Sequence, residues 1–188
     1  MKHSWIKIFS LSLILFSAGS FTSIQAANEL PNLMEYQDTK LTLNGQGTRM
    51  MFFVKIYESG LYLSSTNSNA EEIINENSAM GIRLDVISSM LTAEAMKKAI
   101  NEGFVKSTKD KTQPITDQIN QFMATLHEAI EVGDVYEFIY LPESGVDVLR
   151  NSELLDTIAG LEFKKAFFGI WLSDNPVQKS LKKAMLGN

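Results

Sequence analysis

The segment LNGQGTRMMFFVKIYESGLYL, residues 43–63, decides the fold. From Met50 to Leu63 it is rich in aromatic and β-branched residues, which suit a pleated, half-buried surface, and Gly60 within it reads as a bend or bulge. Two strands, or one bent strand, are expected. A strand running straight from Arg49 places Arg49, Met51, Phe53, Lys55 and Tyr57 on one face, and Phe52, Val54 and Ile56 on the other. The first face is amphipathic and the second greasy. Either Arg49 serves a site on its face, or it satisfies loop carbonyls while Lys55 faces water. The upstream Gly45-Gln46-Gly47 is a lone GxG and by itself indicates only a turn.

On the N-terminal side, residues 27–39 read as a loosely ordered lead-in, and Leu41–Leu43 starts the first strand. On the C-terminal side, Asn69 caps a short helix to about Glu76, and Ala79–Ile87 alternates as a strand. Thr92 is the N-cap of a helix to about Lys106 with Met96, Ile100 and Phe104 on one stripe. Pro114 opens a second helix, where Ile115, Ile119, Phe122, Leu126 and Ile130 recur at threes and fours. After Gly133 the period becomes two. Val135–Leu141 and Val146–Arg150 form a hairpin across Pro142–Gly145, and a turn at Asn151 and Ser152 leads to a short strand near Leu154. Leu161–Trp171 reads as an apolar helix, and Asp174 or Asn175 before Pro176 starts a last helix ending near Gly187. Strands interrupted by a block of helices, with hairpins late in the chain, predict an α+β fold: a large antiparallel sheet with helices on one face.

Residues 1–26 read as a secretory signal, with Lys2 and Lys7 before the apolar run Ile8–Phe16, and small and polar residues leading to cleavage after Ala26. The run is too short to span a bilayer, so no integral membrane segment is expected after cleavage, and a periplasmic location is expected. The remaining residues, 27–188, fit one domain. Loss of Lys2 and Lys7 takes the formal charge from −5 to −7, which repels phosphate backbones and argues against nucleic acid as a partner. The chain has no cysteine, which removes disulfides, thiol catalysis and a lipidated cysteine. His127 is the one histidine after signal removal and reads as solvated, so neither a histidine-rich metal site nor a serine–histidine triad is supported. No phosphate-cradling glycine motif is present, and no cofactor is expected. Glu71, Glu72, Glu128 and Glu131 read as solvated helix faces, as do lysines 164, 165, 179, 182 and 183. Nothing in the chain marks an oligomeric state.

Three stretches together resemble the chalcone isomerase family. Residues 43–63 are similar to its opening strands, with a GxGxR turn and a second strand ending in YL. AINEGFVKS, residues 99–107, resembles its first long helix, and FFGIWLSDNPVQKSLKKAMLG, residues 167–187, resembles the closing helices of its bacterial branch. The resemblance implies an open-faced β-sandwich, with a large antiparallel sheet and helices layered on one face. It also implies that Arg49 is the principal polar group of a ligand cleft, since a guanidinium fork suits a phenolate, enolate or carboxylate.

The departures from that family are equally specific. Tyr57 stands where the plant enzymes place a threonine. Those enzymes carry a tyrosine and an asparagine near the start of the first long helix, where this chain has residues such as Ala95 and Ile100, with Asn101 the nearby amide. Their late serine or threonine falls at about Gly169, with Ser173 a turn away.

Three functions remain open. One is a non-catalytic binder of a fatty acid or other small amphipathic anion, with Arg49 and Tyr57 as head-group donors and Met51 and Phe53 in the cleft wall. Another is an intramolecular lyase acting on a chalcone-like or other phenolic substrate, with Arg49 and Tyr57 as catalytic groups. The third is an envelope structural or interaction protein whose cleft is filled by its own Phe167, Phe168 and Trp171.

Overall fold

The computed structural model describes residues 30–188; the expected signal, residues 1–26, lies outside the described residues. Seven strands form one sheet in simple sequence order, every neighbour antiparallel: β1 (Leu33–Tyr36), β2 (Thr39–Met51), β3 (Val54–Leu63), β4 (Met80–Val86), β5 (Val135–Leu141), β6 (Gly145–Arg150) and β7 (Glu153–Ile158). The helices are α1 (Ala70–Asn75), α2 (Ala93–Ser107), α3 (Thr116–Thr125, entered through a 3-10 turn at Gln113–Ile115), α4 (Leu161–Leu172) and α5 (Lys179–Met185).

Alternation along the strands builds the main core. Met80, Ile82, Leu84 and Val86 point to the helix side, as do Tyr136, Phe138 and Tyr140, and the register sets Ile82 opposite Phe138 and Phe138 opposite Val148. On this apolar floor lies α4, whose Phe163, Phe167, Phe168 and Trp171 are buried. Phe167 is the hub, with ring centroids 4.8 Å from Phe122 of α3 and 4.9 Å from Phe138 of β5. The other face carries a smaller cluster of Met34, Leu41, Tyr62, Ile139 and Leu149.

Several elements differ from the sequence reading. The lead-in contains a strand, β1, because its apolar Met34 packs onto the second face over Gly81. The bend falls not at Gly60 but at Phe52 and Phe53, where β2 and β3 form a hairpin with Phe52 at φ 54°. Gly60 is interior to β3, and its lack of a side chain admits Leu30 and Leu43. The helix predicted to include Ile130 stops at Thr125, because Leu126 turns into the core and Arg150 takes the Ala129 carbonyl at 2.6 Å. The last helix begins at Lys179, after an irregular stretch that includes Pro176.

The GxG is likewise no turn. Gly45 and Gly47 lie inside β2, and α5 rests directly on them: a Cβ on Gly45 would stand 2.3 Å from the Ala184 carbonyl oxygen, and one on Gly47 2.8 Å from the Ala184 Cβ. Lys164 departs furthest from expectation, since it is fully buried. Its Nζ donates to the carbonyls of Ile73, Ile74 and Glu76 at 2.9, 2.9 and 2.7 Å, satisfying the open end of α1 and docking that helix onto α4.

Two outcomes follow for stability. Gly45→Ala drives a methyl group into backbone that cannot give way, and it should destabilise the protein by about 2–3 kcal/mol in urea unfolding. Burial pushes the Lys164 ammonium down to about 8 from its ordinary 10.5, so between these values the unfolded chain holds a proton that the folded chain releases. Stability should therefore rise with pH, by about 2 kcal/mol from pH 8 to 10. Above pH 10 it should fall again, because burial raises the phenols of Tyr57, Tyr136 and Tyr62, the last to about 12, and the unfolded chain ionises first. Urea midpoints across this range should show the rise in the wild type and none in Lys164→Met.

Candidate ligand site

Arg49 and Tyr57 are cross-strand partners in the β2–β3 hairpin, so their side chains leave the sheet on the same face. The straight-strand expectation paired them for a different reason and fails for its other members. Met51 is at the end of β2, 37% exposed, and Phe53 is in the turn, 97% exposed, so neither lines the cavity beside Tyr57. Lys55 is exposed.

The Arg49 guanidinium is half-buried and held from one side. Its Nη1 donates to the Met50 carbonyl and, at 3.0 Å, to Gln178 Oε1. Gln178, the residue before α5, is the organiser of this corner: the same Oε1 accepts from the Met50 N–H at 2.9 Å, and its Nε2 donates to the Thr48 carbonyl at 3.1 Å. Arg49 thus satisfies a loop carbonyl, as one sequence reading held. Its Nε and Nη2 have no partner among the described residues, which leaves one complete edge of the fork available.

Tyr57 is buried. Its hydroxyl accepts a hydrogen bond from Trp171 Nε1 at 3.1 Å, and because an indole nitrogen only donates, the phenolic proton remains free to bond elsewhere. Burial raises the Tyr57 pKa, while the Trp171 bond and the charge of Arg49 pull it partly back. The phenol is therefore a neutral donor at ordinary pH.

Tyr57, though not Arg49, lines an apolar cavity of about 30 Å³ between β3, β4, α2 and α4. Met96, Ala99 and Ile100 of α2 form one wall and Ile170 and Trp171 of α4 another, and Leu91 and Val177 also line it. Larger concavities, of about 390 and 350 Å³, lie elsewhere, between α1, the C-terminal end of α2 and α4. Gly169 and Ser173 open into these and not into the Tyr57 cavity, and the Ser173 hydroxyl is buried without a partner. Gly169, where the resemblance puts the late hydroxyl of the plant enzymes, and Ser173 a turn away thus do not line the cavity beside Tyr57. His127 is exposed, and among the described residues no group of His, Asp or Glu is placed to hold a metal ion.

Sequence reasoning missed Gln178 and the Trp171–Tyr57 bond. The start of α5 was expected several residues earlier, so nothing marked Gln178 as facing Arg49. Trp171 was visible only as one more apolar residue of a greasy helix.

A family profile described as chalcone isomerase-like matches residues 23–187. Among curated proteins, none matches the chain in sequence. Among solved structures, the crystal structure of a fatty-acid binding protein of Arabidopsis thaliana superposes with a TM-score of 0.65 at 13% identity, over 84% of this chain and 90% of that one. The curled antiparallel sheet, the layer of helices and the profile match over nearly the whole chain agree: this protein belongs to the chalcone isomerase-like family.

Proposed function

We propose that this protein is a non-catalytic, periplasmic binder of a fatty acid or other small amphipathic anion. The observation that carries the reading is the cross-strand pairing of Arg49, whose Nε–Nη2 edge is unused, with Tyr57, whose phenolic proton is unused and whose side chain lines an apolar seam. A carboxylate fits such a pair, since the guanidinium edge takes two oxygens and a neutral phenol adds a third bond. The acyl chain follows the seam between sheet and helices. The fatty-acid binding protein that shares the fold supports the same reading.

Two features weigh against cyclisation chemistry. The wall that α2 contributes consists of Met96, Ala99 and Ile100, none of which donates or accepts a proton, and Gly169 and Ser173 face another groove. An enolate forming here meets only Arg49 and Tyr57, a thin set for transition-state stabilisation.

A second reading, an envelope structural protein, draws on the size of the seam. An acyl-binding pocket needs roughly 300 Å³ or more, and about 30 Å³ is open here. Binding therefore requires the seam to widen. Met96 is unbranched and adaptable, and Val177 belongs to the irregular α4–α5 connection, so the movable parts border the cavity.

Titration with a fluorescent long-chain fatty acid decides between the two. The binder reading expects saturable binding, lost ten-fold or more in Arg49→Ala and weakened several-fold in Tyr57→Phe. A wild-type protein that binds no acyl chain, and carries none by mass spectrometry after purification, supports the structural reading instead.

A further inference from the structure

The β2–β3 turn presents an apolar tip to solvent. Phe52 and Phe53 are 88% and 97% exposed, with Met51 and Val54 beside them also exposed. These are four consecutive members of the nine exposed large apolar side chains among the described residues. A fifth, Met90, is in the loop after β4, whose first residue, Ile87, donates to the Ile56 carbonyl of β3. The apolar side chains therefore gather at one end of the molecule, the end that holds Arg49 and Tyr57.

The tip also projects. The pairing of β3 with β4 stops at Tyr57, whereas β2 and β3 continue as a two-stranded ribbon to Met51 and Val54. Phe53 is four residues beyond Tyr57, so the tip stands roughly 10 Å past the end of β4. No buried contact explains two adjacent phenylalanines there, and Phe52 occupies a backbone conformation that glycine or asparagine adopts more readily. Such exposed apolar surface marks an interaction site.

We propose that this tip docks the protein onto a lipid bilayer, with Phe52 and Phe53 among the acyl chains. Its shape and its charge select this occupant. A narrow convex tip fits a fluid apolar phase, which needs no pre-shaped complement, and its reach is comparable to the roughly 5–10 Å that interfacial segments enter. The cations around it suit anionic head groups: Lys55 at its base is exposed, and Lys179, next to the Gln178 that bonds Met50, is exposed on α5. Glu58, the carboxylate of β3, lies further from the tip than Lys55 and accepts from the Thr48 hydroxyl at 2.8 Å. Docking goes beyond the acid-binding reading and does not depend on it.

Co-sedimentation of the full mature chain with vesicles of phosphatidylcholine alone, or mixed with phosphatidylglycerol, tests the proposal. The wild type should bind the mixed vesicles, and the double variant Phe52→Asn, Phe53→Ser should lose ten-fold or more in affinity with an unchanged urea midpoint. Lys55→Glu should weaken binding to mixed vesicles only. In Phe53→Trp, tryptophan emission should shift to the blue on vesicle addition. Absence of wild-type binding to both compositions overturns the proposal, as does a double variant that binds equally well. Self-association that the double variant abolishes, without vesicle binding, assigns the tip to a second copy of the chain and also overturns it. Fatty-acid titration of the double variant stays normal if only docking is lost, so the two functions fail separately.

Discussion

The site depends on the register of the β2–β3 hairpin, which sets Arg49 opposite Tyr57. A slip of one residue in either strand would send one of the two side chains to the other face of the sheet. The register is held from both ends. At the turn, two residues close the hairpin, and an irregularity between Arg49 and Met50 adjusts the last pairs. At the other end, α5 lies on Gly45 and Gly47 so closely that no side chain fits beneath it. That close approach brings Gln178 to the edge of β2, where it bonds Thr48, Met50 and Arg49 together. Two missing methyl groups in one strand thereby determine where a guanidinium fork points.

The architecture was largely legible because its core follows the simplest rule, alternation on strands and a stripe on helices. Met80, Ile82, Leu84 and Val86 announced their face, and Met96, Ile100 and Phe104 announced theirs. What escaped were positions where tertiary contact overrides the local pattern. Lys164 reads as one of several surface lysines, and only the open carbonyls of α1, ninety residues away in sequence, account for its burial. The helical stripe reaching Ile130 is real as a pattern, yet Arg150 competes for the backbone beyond Thr125. Gly45 and Gly47 carried a signal, spacing of two within a strand, but a lone GxG also fits a turn.

Arg49 and Tyr57 share one face of the sheet, as the alternation predicts, although through a hairpin and not along one straight strand, and of the two Tyr57 lines the cavity. Met51 and Phe53 did not join them, because a two-residue turn reverses the chain between them and carries both to its tip. Alternation can assign faces only while a strand continues. Phe52 and Phe53, two of the most apolar side chains in the segment, gave no hint that the chain turns there, since turns ordinarily use glycine, asparagine or proline. The mismatch between residue type and conformation is itself informative, because a local rule broken without a folding benefit points to a role outside the fold.

A nearly closed seam and a pair of unused donors are compatible if the ligand does the opening. Each methylene drawn out of water contributes about 0.8 kcal/mol, so the carbons behind the carboxyl of a twelve-carbon acid offer on the order of 9 kcal/mol, while those of a four-carbon acid offer about 2. Against this stands separation of well-packed walls, including Met96, Ile100 and Ile170, which lowers the apparent affinity by the fraction of molecules open at any moment. On the proposed reading the opening lowers the affinity of every acid by the same factor, so a long-chain acid retains measurable binding where a short one does not. The Trp171–Tyr57 bond leaves the phenolic proton free, beside a cavity of about 30 Å³ that has room for little more than one or two waters. On the proposed reading, head group and tail both contribute to binding.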